Sequence, residues 1–270
     1  MRVRFLGTGT SYGIPMLGCS CPVCRSRDPR DKRFRPAVLF ACAGKSILLD
    51  TPQDLRLACL RADVRSVDAV LLSHEHADHL FGFDDLRAFS NRLEEPLPVH
   101  ASSALCKILR RTFAYLSRPP VPGTTLARLA LVETDGPRAL FPGVKATPLP
   151  VEHGRSAMTG WRIDCRGASA AVISDCKRIF PETMEKIRGV DLLVLDGLRE
   201  EPHPTHFSFE EALDAAEEAR PKRLLLTHLC HATSHRDACA FVARRALPFP
   251  ASVAYDGLAV PLPEAPPEAG

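Results

Sequence analysis

Lysine is scarce in this 270-residue chain, and arginine supplies most of its 35 cationic side chains. Against 32 carboxylates the formal balance is +3, too small a surplus to select nucleic acid as a partner on charge alone. Arginine suits planar, bidentate contact with phosphate or carboxylate, although GC-rich coding bias yields the same excess. The opening MRVRFLGTGT carries no apolar stretch behind its charges, so no secretory signal is expected. No apolar run approaches the length that spans a bilayer. A cytoplasmic protein without a membrane partner is the expectation. Ten cysteines then belong to a reducing compartment, where thiols ligate metal or lie buried in preference to forming disulfides.

Two further absences bear on organisation. The Gly-rich loop at 7–13 lacks the Walker lysine and the Rossmann spacing, so it reads as a loop packed beneath a site and not as a nucleotide cradle. No linker is long enough to separate a pair of domains and no internal repeat is visible, which leaves at most a weak pseudo-symmetry. A single domain over 1–260 is expected, then a disordered Pro/Ala/Glu-rich tail at 261–270.

What the chain does contain is concentrated at 67–82, VDAVLLSHEHADHLFG. An apolar run of strand length, Ala69-Val70-Leu71-Leu72, leads without a spacer into Ser73-His74-Glu75-His76-Ala77-Asp78-His79. Three imidazoles and two carboxylates within six residues have no packing rationale at the end of a buried strand. They are the ligands that zinc and similar divalent metals prefer. On an extended segment His74 and His76 point the same way, while Asp78 and His79 begin the next turn. Two metal ions could be addressed.

Later segments repeat the theme. Apolar runs end on His153 (VKATPLPVEH), Asp175 (AAVISD), Asp196 (DLLVLD) and His228 (RLLLTH). Strands that each stop on a His or Asp describe a sheet presenting ligands along one edge. Two earlier strands are expected in AVLFAC and SILLD, joined by a turn at Ala43-Gly44-Lys45. Asp50, which ends the second, suits either a turn-capping carboxylate or one that orients a ligand histidine. Helices are expected at 53–62, 83–92, 102–116, 181–188, 208–220 and 234–246, with Ser208 an N-cap and Pro221 a stop. Arg87 lies one or two turns beyond the ligand cluster, where it is either solvated or holds an anion.

Near the amino terminus, Gly18-Cys19-Ser20-Cys21-Pro22-Val23-Cys24 spaces three thiols as C-x-C-x-x-C. Such thiolates can wrap one structural zinc, with a fourth ligand from elsewhere.

The run S-H-E-H-A-D-H, with single His and Asp residues after later strands, resembles the metallo-β-lactamase superfamily over nearly the whole chain. That resemblance implies an α/β (α+β) fold, a four-layer αββα sandwich with two sheets face to face. Carried over by position, it implies His74, His76 and His153 on one divalent metal, and Asp78, His79 and His228 on another. Asp175 would bridge them. The amino-terminal cluster resembles more narrowly the PhnP-type cyclic phosphodiesterases (phosphoribosyl 1,2-cyclic phosphate phosphodiesterases). These carry G-C-x-C-x-x-C and a second histidine three residues after the last site histidine. His231 in THLCH fits, so Cys19, Cys21, Cys24 and His231 would form a structural zinc site, with Cys230 a spare candidate.

The same likeness implies two active-site metals, zinc or manganese, acting on a small, cyclic ribose-type phosphodiester. Such metals stand ~3.5–4 Å apart and acidify a shared water, whose bridging hydroxide would attack phosphorus. Asp78 would serve that catalytic centre as well as its metal. His206, in PTHFS ahead of a late helix, would meet the leaving group and contact substrate, with His203 its competitor, and Arg87 would contact the phosphoryl oxygens. Partners are then a small-molecule substrate and, in a homodimer, a second copy, but neither nucleic acid nor membrane. Rival readings on the same scaffold are an RNA-processing nuclease, a thioester or lactone hydrolase, and a non-catalytic metal-binding protein. A tRNA nuclease would carry a long basic insertion, and none is present.

Overall fold

Side-chain alternation decides the layering. In 45–49, Ile47 and Leu49 join one apolar cluster and Leu48 another. In 69–72, Ala69 and Leu71 go with the first, Val70 and Leu72 with the second. Strands apolar on both faces must be covered on both, and the computed structural model, which describes residues 1–119 and 121–264, shows how.

One sheet contains β1 (Arg2–Gly7), β2 (Ala37–Cys42), β3 (Lys45–Leu49), β4 (Ala69–Leu71), β5 (Leu97–Ala101) and β6 (Leu129–Glu133). The other contains β7 (Arg138–Phe141), β8 (Val144–His153), β9 (Ser156–Cys165), β10 (Ala168–Ile173), β11 (Arg178–Ile179), β12 (Leu192–Asp196), β13 (Leu224–Thr227) and β14 (Ala251–Val253). The chain returns to the first sheet with β15 (Ala259–Pro261), antiparallel to β1. Helices α1 (Leu55–Arg61), α2 (Ala77–Leu80), α3 (Arg87–Ser90) and α4 (Ser103–Thr112) belong to the first half, and α5 (Pro181–Ile187), α6 (Phe209–Ala219) and α7 (His235–Arg244) to the second.

Val3, Phe5, Phe40, Leu71, Trp161 and Val194 share the core between the sheets. Leu55 and Leu105 from α1 and α4 cover the first sheet's outer face, and Phe209 and Leu213 from α6 cover the second's. This is the four-layer αββα sandwich expected. Each fully buried leucine or phenylalanine contributes about 1.5–3 kcal/mol. The Trp161 indole N–H donates to Leu72 O at 3.1 Å, which satisfies its polar atom and ties the sheets together beside the ligand stretch.

The pseudo-symmetry is topological. β1–β2 and β2–β3 pair antiparallel, then β3–β4, β4–β5 and β5–β6 pair parallel. The second sheet repeats this with β8–β9 and β9–β10 antiparallel, then β10–β12, β12–β13 and β13–β14 parallel. Strands that run together end together. The carboxyl ends of β8, β10, β12 and β13 therefore share one rim, where α/β folds bind ligands.

Several elements differ from expectation. The strand β9 escapes the pattern because Gly160 interrupts it. A Cβ there would sit 2.8 Å from Val172 O, so close strand packing demands glycine. The helix expected at 83–92 is a 3-10 turn at Phe83–Leu86 followed by the short α3, and α4 stops at Thr112. The tail begins later than expected. Pro261 lies in β15, Leu262 N donates to Met1 O at 2.7 Å, and Glu264 pairs with the Met1 ammonium. Edge pairing thus holds 261–264, and the disorder expected at 265–270 lies outside the described residues. The segment 208–220 forms as expected: Ser208 and Glu211 make a reciprocal capping box on α6. No helix among the described residues is long and apolar enough to cross a membrane.

Candidate metal centre

The buried strand β4 stops at Leu71, and His74 follows three residues later. The backbone then turns into α2, whose first turn carries Asp78 and His79. His76 precedes that helix, and its ring centroid lies 4.4 Å from that of His74. The ends of β8, β10 and β13 bring His153, Asp175 and His228 to the same place. The ligand atoms of His74, His76 and His153 all lie within 4.8 Å of one another, as do those of Asp78, His79 and His228. Asp175 stands between the two sets, 3.1 Å from His79 Nε2, 3.3 Å from His228 Nε2 and 3.8 Å from His153 Nε2. All seven side chains singled out in the sequence as metal ligands therefore converge.

Their unsatisfied atoms test whether a cation fits. His74 Nε2, His79 Nε2, His228 Nε2 and Asp175 Oδ2 are buried without a hydrogen-bond partner. Leaving one such atom unpaired costs about 1–3 kcal/mol, so several within one cluster require a shared partner. A divalent cation meets that need, and the donors fit zinc or manganese. Electrostatics agree. Burial, with His79 adding to it, holds His74 well below the ordinary imidazole range. On His79 burial acts the same way, but Asp175 and Asp50 outweigh it and hold the ring well above that range. For Asp175 burial pushes upward, yet His228 and His79 keep the carboxyl far below its usual range.

A second layer fixes the ligand rings. Asp50 Oδ2 lies 2.7 Å from His79 Nδ1. Ser73 Oγ donates to the same carboxylate at 2.9 Å and lies 3.0 Å from His74 Nδ1. The Thr205 carbonyl accepts from His153 Nδ1 at 2.8 Å. Such partners leave Nε2 free to ligate. Asp50 and His228, at the ends of β3 and β13, both adopt left-handed backbone (φ 65° and 62°). Non-glycine residues seldom hold that conformation unless their surroundings impose it. Of the two roles open to Asp50, the geometry supports orientation of a histidine.

The cluster opens into a cavity of about 490 Å³. His206 lines it, with its Nδ1 2.7 Å from Asp196 Oδ2. Cys176 N also donates to that oxygen at 2.8 Å, so Asp196 is itself held in place. His203 instead faces Thr205, its Nδ1 3.3 Å from the backbone N. Ser11 of the Gly-rich loop reaches the cavity because Gly9 bridges to Leu229, beside His228.

Arg87 is a correction. Asp84 and the Thr125 carbonyl hold its guanidinium, and it does not line the cavity. The helical spacing that was to aim it inward breaks at the 3-10 turn before α3. Sequence reasoning gave no role to Asp196, although it ends its strand just as Asp175 follows β10. Arg155, in the β8–β9 turn, also lines the cavity and carried no signal beyond its charge.

The amino-terminal cysteines make a separate cluster. Ligand atoms of Cys19, Cys21, Cys24 and His231 lie within 4.8 Å of one another, and His231 Nδ1 is 3.4 Å from both Cys19 Sγ and Cys21 Sγ. The Cys24 backbone N–H, and then His231, draw the Cys21 thiol down to about 6, while burial pushes Cys24 up to about 11. Cys230 stands outside this set.

Comparison with known proteins identifies the fold family. A family model described as "Beta-lactamase superfamily domain" matches residues 45–229. A solved structure described as a new diphosphatase from the PhnP family is 35% identical, covers 96% of this chain and 97% of its own, and superposes with a TM-score of 0.84. A curated relative from Porphyromonas gingivalis, named octanoyltransferase, is 39% identical over 234 residues, or 86% of this chain. The chain spans only 46% of that relative's length. The Zn(2+)-bound PqqB from Methylobacterium extorquens shares the fold at 19% identity, covering 97% of this chain and all of that one, with a TM-score of 0.79. Matched over most of its length by the family model, and over nearly all of it by a PhnP-family relative, the chain belongs to the β-lactamase superfamily and is PhnP-like.

Proposed function

We propose that this protein is a dinuclear-metal phosphodiesterase acting on a small phosphodiester, of which a cyclic ribose phosphate is the type. One observation carries the reading. Two potential ligand sets lie on either side of Asp175 and open, with His206 at their edge, onto a cavity of small-molecule size. His74, His76 and His153 would hold one cation, and Asp78, His79 and His228 the other. When bound, such a pair supplies Lewis acidity, acidifies water and neutralises charge on phosphoryl oxygens.

The chain's own residues do the rest. Asp196 Oδ2 accepts a hydrogen bond from His206 Nδ1–H and fixes the ring, so that in the protonated ring Nε2–H can hydrogen-bond the leaving oxygen and give it that proton. Asp50, Ser73 and Thr205 hold His79, His74 and His153 in register before substrate arrives. Cys19, Cys21, Cys24 and His231 would hold a structural zinc that ties the amino-terminal loop to the segment after His228. The PhnP-family diphosphatase supports phosphorus–oxygen cleavage and favours a diphosphate as the second reading.

The test is a turnover panel with zinc- or manganese-loaded protein: bis(p-nitrophenyl) phosphate, 2′,3′-cyclic nucleotides, a nucleoside diphosphate and an octanoyl thioester. Turnover of the phosphodiesters is expected. Turnover of the thioester alone would overturn the reading.

A further inference from the structure

The cavity at the metal centre does not end at the ligands. A second cavity of about 500 Å³ adjoins it and shares His153, Gly154, Arg155 and Ser156. Its other walls come from the turn before α4, the end of β6, the β8–β9 hairpin and the residue before α5. Their chemistry is of two kinds. Phe180, Met158 and Pro148 are apolar, and Ser102, Thr134 and Asp135 are polar. Asp135 Oδ1 accepts from Ser103 N at 2.9 Å, which anchors an otherwise exposed carboxylate at the cavity wall.

Arg155 stands where the two cavities meet. His153 pairs with Ser156, so Gly154 and Arg155 form a two-residue turn. Gly154 has φ +58°, and a Cβ there would approach Thr205 Cγ2 to 3.0 Å, so the turn packs against the loop that carries His206. Arg155 is the one arginine or lysine lining the metal cavity among the described residues. Arg87, Arg178 and Arg199 each pair with a carboxylate, whereas Arg155 has no such partner among the described residues.

We propose that the second cavity is a leaving-group subsite for a nucleoside, with Arg155 at its mouth binding a phosphoryl oxygen of the same molecule. This rests on the phosphodiesterase reading above and narrows the substrate to nucleotides. A volume of about 500 Å³ is within the range of small-ligand sites. The Arg178 guanidinium lies over one face of the Phe180 ring, 5.6 Å from its centroid, and a base would stack on the other. Asp135, an acceptor-only carboxylate, suits a free ribose hydroxyl, and Arg155 suits phosphate.

Calorimetric titration of the metal-loaded protein with adenosine 5′-monophosphate, adenosine and inorganic phosphate tests this without turnover. The monophosphate is expected to bind more tightly than either fragment. Phe180→Ala and Asp135→Asn should each weaken the monophosphate and adenosine roughly tenfold and leave phosphate unchanged. Arg155→Ala should weaken the monophosphate and phosphate but not adenosine. Failure of adenosine to bind, or wild-type affinity for the monophosphate in both Phe180→Ala and Asp135→Asn, overturns the subsite. If adenosine binds with those losses while no phosphodiester is hydrolysed, the subsite stands and the phosphodiesterase reading fails. If phosphodiesters are hydrolysed and adenosine does not bind, only the subsite fails.

Discussion

Asp50 Oδ2 lies 2.7 Å from His79 Nδ1, at the end of a strand whose counterpart in the second sheet, β10, leads to Asp175. The carboxylate in one half orients a ligand, and that in the other sits among the ligands. Asp50 also accepts Ser73 N at 2.8 Å and Ser73 Oγ at 2.9 Å, so one side chain sets the tautomer and direction of His79 and anchors the start of the motif.

Asp50→Asn should therefore weaken metal retention by about 10–100-fold, the usual effect of losing such a support. Chelator competition followed by elemental analysis measures it. Retention equal to the wild type would mean that the contact is a turn cap only.

His206 and Asp196 should behave as one unit. His206→Ala is expected to lower kcat by about 10²–10⁴-fold with active-site metals retained. Asp196→Asn should act in the same direction, and the double variant should be no worse than the poorer single one, because each residue works through the other. Additive losses in the double-mutant cycle would separate their roles.

Arg87 serves as the negative control. Its guanidinium is occupied by Asp84 and Thr125 O, so Arg87→Ala should leave kcat/KM within about twofold, as for surface changes generally. A large fall in kcat/KM would restore the substrate role inferred from spacing.

Cys21→Ala should remove one bound metal per chain and lower the melting temperature, since zinc binding to such a cluster is folding free energy. Metal content and thermal unfolding measure the two effects. In protein that stays folded, the ligands around Asp175 should still load. Unchanged metal content would remove the structural site.

The legibility of these features in the sequence follows their chemistry. Metal ligands were legible because three imidazoles and two carboxylates within six residues, echoed by His or Asp at the ends of later strands, have no packing rationale. Cys19, Cys21 and Cys24 were legible because close thiol spacing has few other uses. Asp196 closes its strand in the same fashion, but an orienting carboxylate acts on a residue ten positions away, and nothing local marks that pairing. Arg87 misled because a helical projection assumed an unbroken helix, and the 3-10 turn at Phe83–Leu86 changes the angle. The strand β9 was hidden by Gly160, whose role depends on the backbone of β10 across the sheet. Edge pairing of 261–264 with the first strand was equally nonlocal.

Anomalous diffraction from crystals of the zinc-loaded protein tests most directly whether distant segments of the chain assemble a two-cation centre. Two peaks flanking Asp175 are expected, one among His74, His76 and His153 and one among Asp78, His79 and His228, with a third inside the Cys19–Cys21–Cys24–His231 cluster. A well-ordered crystal with no peak beside Asp175 would contradict that centre.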